Sequence, residues 1–117
     1  MPISERAVGD VCILEPSGRM VAEVPDRIVA VVRQRLREGC RNFLLNLEHV
    51  QHIDTTGLAD LVESLTAAKR QGGHLKLALV TRHVHELLRV TGLLKVFDVF
   101  DVESEALASF DGTKARS

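Results

Sequence analysis

Two short apolar runs, "NFLLNL" at 42–47 and "HLKLALV" at 74–80, bracket a stretch whose apolar residues recur at helical spacing. Leu58, Leu61, Val62, Leu65 and Ala68 share one stripe of that helix, and Gly72 and Gly73 stop it. A strand, a helix and a second strand in this order call for a crossover that returns the chain parallel to its start. That single constraint excludes helical bundles and antiparallel sandwiches.

The alternation extends in both directions. "VCILEPSG" at 11–18 reads as a strand and turn, with "ISERAV" as its hairpin partner and Gly9 and Asp10 as the turn residues. "PDRIVAVVRQRLREG" at 25–39 places Ile28, Val31, Val32, Arg35 and Leu36 on one helical stripe, with Pro25 in the first turn and Gly39 just past the end. "RHVHELLRVTG" at 82–92 predicts a short helix with Val84, Leu87 and Leu88 inward, closed by Gly92. "KVFDVF" at 95–100 follows as a strand. Asp101 then caps a last helix, "VESEALASF", with Ala106, Leu107 and Phe110 inward. The polar "DGTKARS" at 111–117 is expected to be a flexible tail. The order β-β-α-β-α-β-α-β-α predicts an α/β fold: a mainly parallel mixed sheet of about five strands, an N-terminal antiparallel hairpin and about four helices. At 117 residues, one domain spanning 1–117 accounts for the chain.

Composition narrows the function. A formal net charge of −1 supplies no field for nucleic acid or an anionic membrane. Tryptophan and tyrosine are absent, which removes the usual stacking platforms for single strands. Cys12 and Cys40 have no CxxC partner and read as thiols of a reducing compartment. No basic, apolar-cored leader opens the chain and no apolar run is long enough to span a bilayer, so a cytoplasmic protein is expected.

The segment "HIDTTGLADLV" at 52–62 carries the functional signal. Ligands and partners of open α/β sheets gather at the carboxyl ends of the strands. Asp54, Thr55, Thr56 and Gly57 fall at such a place, where the first helical N–H groups lack intrahelical partners. Two readings fit these residue types. In one, Asp54 or a threonine is a plain N-cap and Gly57 lets a neighbouring backbone pass close. In the other, an exposed hydroxyl accepts a phosphoryl group of about −1.5 to −2 charges, which the orphan N–H groups tolerate.

The segments "FLLNLEHVQHIDTTGLADLVESLTAAKRQGGHLKLALV" and "LLRVTGLLKVFDVFDVESEALASF" resemble the STAS domains of the anti-sigma factor antagonist family. The resemblance rests on the D-[ST]-[ST]-G-L junction, the "GG-x-L-K-L" strand entry and the late "TGLLKVF" turn, in that order and over nearly the whole chain. It implies a bacterial regulator of transcription that acts by protein binding in signal transduction. The unmodified antagonist binds an anti-sigma factor that is also an ATP-dependent serine/threonine kinase, releasing a sigma factor. The kinase phosphorylates the antagonist at the second junction hydroxyl, the complex separates, and a phosphatase resets it. On this chain the implied phosphoacceptor is Thr56, with Thr55 as second choice. Asp54 matches the family aspartate, which orients the acceptor hydroxyl or its backbone. Thr55, Gly57, His52 and Asp60 complete the expected switch and partner-binding surface. Most such antagonists carry serine at the acceptor position. Threonine also suits the stress-sensing scaffold branch, so a scaffold subunit of a stress complex, or an accessory subunit of a lipid-transport system, is the alternative. Asn46 stands where many relatives have aspartate.

Other chemistry has less support. His83 and His85 are two apart on a helix and point about 200° apart, so they cannot share a metal. His49 and His52 could meet in a loop, but nothing completes a zinc set. No nucleophile elbow or phosphate-binding loop is present, so neither an enzyme nor a cofactor is expected. Arg33, Arg35, Arg37 and Arg41 read as a solvated face, with a partner patch as the alternative. A phosphoacceptor receiver domain, with Asp54 as acceptor and Thr81 as switch hydroxyl, would need an acidic pair and a late lysine that are missing. Nothing in the sequence sets an oligomeric state.

Overall fold

The computed structural model describes residues 2–23 and 26–114. β1 (Ile3–Val8) and β2 (Val11–Pro16) form an antiparallel hairpin in which Val8 opposes Val11. A short β3 (Gly18–Met20) leads toward α1 (Ile28–Arg37), followed by β4 (Asn42–Asn46) and β5 (Val50–Ile53). Then come α2 (Thr55–Arg70), β6 (His74–Ala78), α3 (Arg82–Val90), β7 (Val99–Phe100) and α4 (Glu103–Lys114). The main sheet has five strands in the order β1-β2-β4-β6-β7, and every pairing beyond the hairpin is parallel. This is the mixed α/β architecture that the alternating runs predict.

Successive strand residues point to opposite faces, and both faces of this sheet are covered. Phe43 and Leu45 of β4, with Leu75 and Leu77 of β6, enter the larger core beneath α1, α2 and α3. Leu44 and Ala78 point the other way and pack with Val11, Ile13, Ala106 and Phe110 under α4. Lys76 shares that second face. Its ammonium donates to Ser109 Oγ at 2.8 Å and lies 4.6 Å from the centre of the Phe110 ring, so its charge is bonded although the residue is buried.

The structure departs from the sequence reading in several places. β3 and β5 pair in parallel as a separate two-stranded sheet, where the sequence reads "EHVQHIDTT" at 48–56 as a connection into the helix. Val50 and Ile53 are buried while Gln51 and His52 between them are exposed, too short a pattern to stand out beside its polar neighbours. The expected strand at 95–100 shrinks to Val99–Phe100, because Gly92 at φ +78° opens a 3-10 turn over Leu93–Lys95. β6 ends at Ala78 because Leu79 turns to φ +56°. On α1 the buried stripe is Ile28, Val29, Val32 and Leu36; Val31 and Arg35 lie at its margin. Pro25 lies outside the described residues. The last helix continues to Lys114, so 111–114 are helical where a tail is expected, and 115–117 lie outside the described residues.

Candidate functional site at the β5–α2 junction

Asp54 holds the junction together. It sits in extended backbone (φ −116°, ψ −169°), its carbonyl accepts the first helical bond from Leu58 N at 2.9 Å, and its Oδ1 accepts from Gly57 N at 3.0 Å. Its Oδ2 accepts from Ala22 N at 3.2 Å, and its own amide donates to Met20 O at 3.3 Å. One residue therefore caps α2 and ties it to the segment after β3. These bonds favour the ionised form, so the Asp54 carboxyl is held below the usual carboxylate range. The Gly57 amide is the largest cause, desolvation opposes it, and the amides of Ala22 and Thr56 add to it.

Gly57 answers to a close approach. A Cβ here would stand 2.2 Å from Met20 O and 2.6 Å from Ile53 Cγ1, so any side chain would push β3 off the helix start. The glycine is what lets the small β3–β5 sheet lie against α2. Both threonines, by contrast, are exposed in the first turn, with hydroxyls that no core contact requires.

Of the orphan N–H groups expected to receive a phosphate, those of Gly57 and Thr56 already face the Asp54 carboxylate. An anion on either hydroxyl would need another partner, and the structure brings one close. Arg27, at the start of α1, lines a small cleft with Met20, Val21, Asp26, Thr56 and Asp60. Its Nη2 donates to Glu63 Oε2 at 3.1 Å and its Nε lies 3.9 Å from Asp60 Oδ1. Among the described residues, Arg27 Nε is buried without a hydrogen-bond acceptor. The spacing of Thr56, Asp60 and Glu63 at i, i+4 and i+7 is the sequence signal for this grouping, because it puts all three on the α2 face turned toward α1.

Asp60, expected on the partner surface, is only 4% exposed. Its Oδ2 accepts from Ile28 N and its Oδ1 from Val29 N, both at 2.8 Å. α1 has no side-chain cap of its own, so Asp60 caps it from the neighbouring helix. His52 does lie exposed beside the junction; its ring meets His83 of α3 edge to face, with centroids 5.8 Å apart, rather than His49. Among the described residues no group of three His, Cys, Asp or Glu side chains is placed to hold a metal. Cys12 and Cys40, distant in sequence, come together, and burial followed by Cys40 pushes the Cys12 thiol up to about 12, far from a reactive thiolate. Among the described residues no helix is long and apolar enough to cross a membrane.

Comparison with known proteins gives this junction its context. A family model described as the STAS domain matches residues 3–106. The anti-sigma F factor antagonist of Paenibacillus polymyxa is 26% identical over 102 residues, which cover 86% of this chain and 87% of that protein. The anti-sigma-B factor antagonist of Bacillus subtilis is 36% identical over 72 residues, covering 59% and 66%. The unphosphorylated structure of the anti-sigma factor antagonist SpoIIAA matches with a TM-score of 0.79 at 16% identity, over 95% of this chain and 97% of that one. The phosphorylated form, from Bacillus, matches with 0.73 at 14% identity, over 93% and 99%. At these identities the structural likeness speaks for the fold.

Proposed function

The chain belongs to the STAS domain family, and from that premise we propose that it is an anti-sigma factor antagonist switched by phosphorylation of Thr56. The observation that carries the reading is the exposed Thr56 hydroxyl, one residue before a glycine that admits no side chain, on a helix start already capped by Asp54. The cap needs neither threonine. That leaves both hydroxyls available for chemistry, with Thr55 as the second choice. The names of the relatives support the antagonist role.

In this mechanism the unmodified junction docks on a kinase-type anti-sigma factor in the bacterial cytoplasm and displaces its sigma factor. Thr56 Oγ1 then attacks the γ-phosphorus of ATP held by the kinase; the bond to the ADP oxygen breaks, ADP leaves, and the hydroxyl proton passes to a base of the kinase. The dianion sits in an interface built for a neutral side chain. An imperfectly paired interfacial charge costs about 2 to 5 kcal/mol, or roughly thirty- to several-thousand-fold in affinity. The complex separates, and a phosphatase restores the hydroxyl. Asp54 positions the backbone of the acceptor. Gly57, buried against Met20 rather than on the partner surface, lets β3 pack on the helix start, while the exposed Thr55 and His52 form the docking face. The protein acts as a binding module throughout, and the ATP chemistry belongs to its partner.

The test is incubation with ATP and candidate histidine-kinase-like serine/threonine kinases, followed by peptide mass mapping. Phosphate on Thr56, and a Thr56→Ala variant that binds the kinase yet resists modification, are the expected results. Phosphate on Asp54, or no phosphoprotein with any kinase that binds the chain, would overturn the reading.

A further inference from the structure

We propose that Arg27 is the counter-ion of the phosphorylated junction: when Thr56 carries a phosphoryl group, the guanidinium leaves Glu63 and receives the phosphate. The inference rests on Thr56 as the acceptor and specifies how this chain accommodates the modification.

Three observations converge. The first is placement: Thr56, Asp60 and Glu63 form one stripe of α2, and Arg27 lies along it, bonded to Glu63 and 3.9 Å from Asp60. Asp60 is about 6 Å along the axis from Thr56 at 1.5 Å per residue, and Arg27 and Thr56 line the same cleft. A phosphate reaching back from Thr56 and a guanidinium released from Glu63 can meet across that gap. The second is an unused donor. Arg27 Nε is buried with no acceptor, while Nη2 holds a side chain that is 46% exposed. An exposed ion pair of this kind is worth about 0 to 1 kcal/mol, so little opposes its exchange. A phosphate offers more charge and can take two parallel N–H bonds from the fork.

The third observation is the lack of an alternative at the junction. The Gly57 amide is bonded to the Asp54 carboxylate, which the Thr56 amide also faces, so two of the helix-start donors already serve an anion. Asp60 lines the cleft with Thr56, and Asp54 lies two residues before the acceptor. Without a cation, a dianion on Thr56 would face carboxylates on several sides. Arg27 supplies that cation.

The experiment installs phosphothreonine at position 56 during translation, so it depends on no kinase. The second phosphate pKa is read by 31P NMR titration in the native background and in the Arg27→Gln and Arg27→Lys variants. A 15N-arginine spectrum of each sample follows the Arg27 Nε–H signal. The expected result is a phosphate pKa about one unit higher in Arg27→Gln than in the native protein, with Arg27→Lys between them. The native Nε–H resonance should move downfield on phosphorylation and follow the phosphate titration. A purely structural role for Arg27 would move stability but neither signal. Superimposed titration curves in folded native and Arg27→Gln proteins, or a native Nε–H signal indifferent to the phosphate, would overturn the proposal. Failure of every kinase to modify Thr56 would instead strike the functional reading, leaving this result intact.

Discussion

At Gly57 and Asp54, single atoms decide what the junction tolerates. A methyl at position 57 would overlap a backbone carbonyl, and a backbone cannot rotate aside as a flexible side chain can. Gly57→Ala is therefore expected to lower unfolding stability by about 1 to 3 kcal/mol, the usual cost of overpacking, read as an earlier urea midpoint. Asp54 makes a different prediction, because its folded-state pKa is depressed. A depressed carboxyl contributes stability above its unfolded pKa, and that contribution fades as pH falls through the folded value. The stability gap between native protein and Asp54→Asn should be constant from about pH 7 to pH 5 and close below about pH 4. Acid and urea titrations of the pair test it; a gap that shows no decrease as the pH falls from about 5 to about 2 would mean Asp54 acts through shape rather than charge. The "IDTTG" motif makes the importance of both residues legible. The close approach of Met20 is not, because contacts between distant segments leave no mark on local spacing.

The elements show where local patterning suffices and where it fails. α2 is readable because its apolar stripe, cap and glycine stop agree with one another. β5 is not, since four residues with two buried ends carry too little signal, and β7 is shortened by a backbone turn at Gly92. Asp60 is the instructive case. Beside an exposed motif it reads as part of the contact surface, yet α1 lacks a capping side chain and takes one from α2. A buried carboxylate accepting two amides cannot be lost cheaply. Asp60→Ala is expected to cost about 2 kcal/mol or more, combining a lost cap with charge-assisted hydrogen bonds. Hydrogen exchange should locate the damage at the Ile28 and Val29 amides. If those amides stay protected while partner binding alone weakens, Asp60 belongs to the interface after all.

At the scale of the whole molecule, the two junction hydroxyls stand apart from the fold they decorate. Both cores close without Thr55 or Thr56, and the exposed hydroxyls lie outside each cluster of buried side chains. A negative charge at an exposed helix start changes stability by only about 0.3 to 1 kcal/mol, and here the nearby Asp54 and Asp60 carboxylates offset part of that gain. Thr56→Glu should therefore melt within a few degrees of the native protein and keep the same denaturant slope. The docked state has no such insulation, because an interface must strip water from whatever charge position 56 presents. The same substitution is expected to weaken kinase binding by at least about thirtyfold, measured by titration calorimetry. Thr55→Ala should have a smaller effect on modification than Thr56→Ala; the reverse order would move the acceptor by one residue. Fold and binding must separate for the switch to work. A Thr56→Glu protein that loses cooperative unfolding would show that weakened binding reports a damaged domain rather than a recharged face.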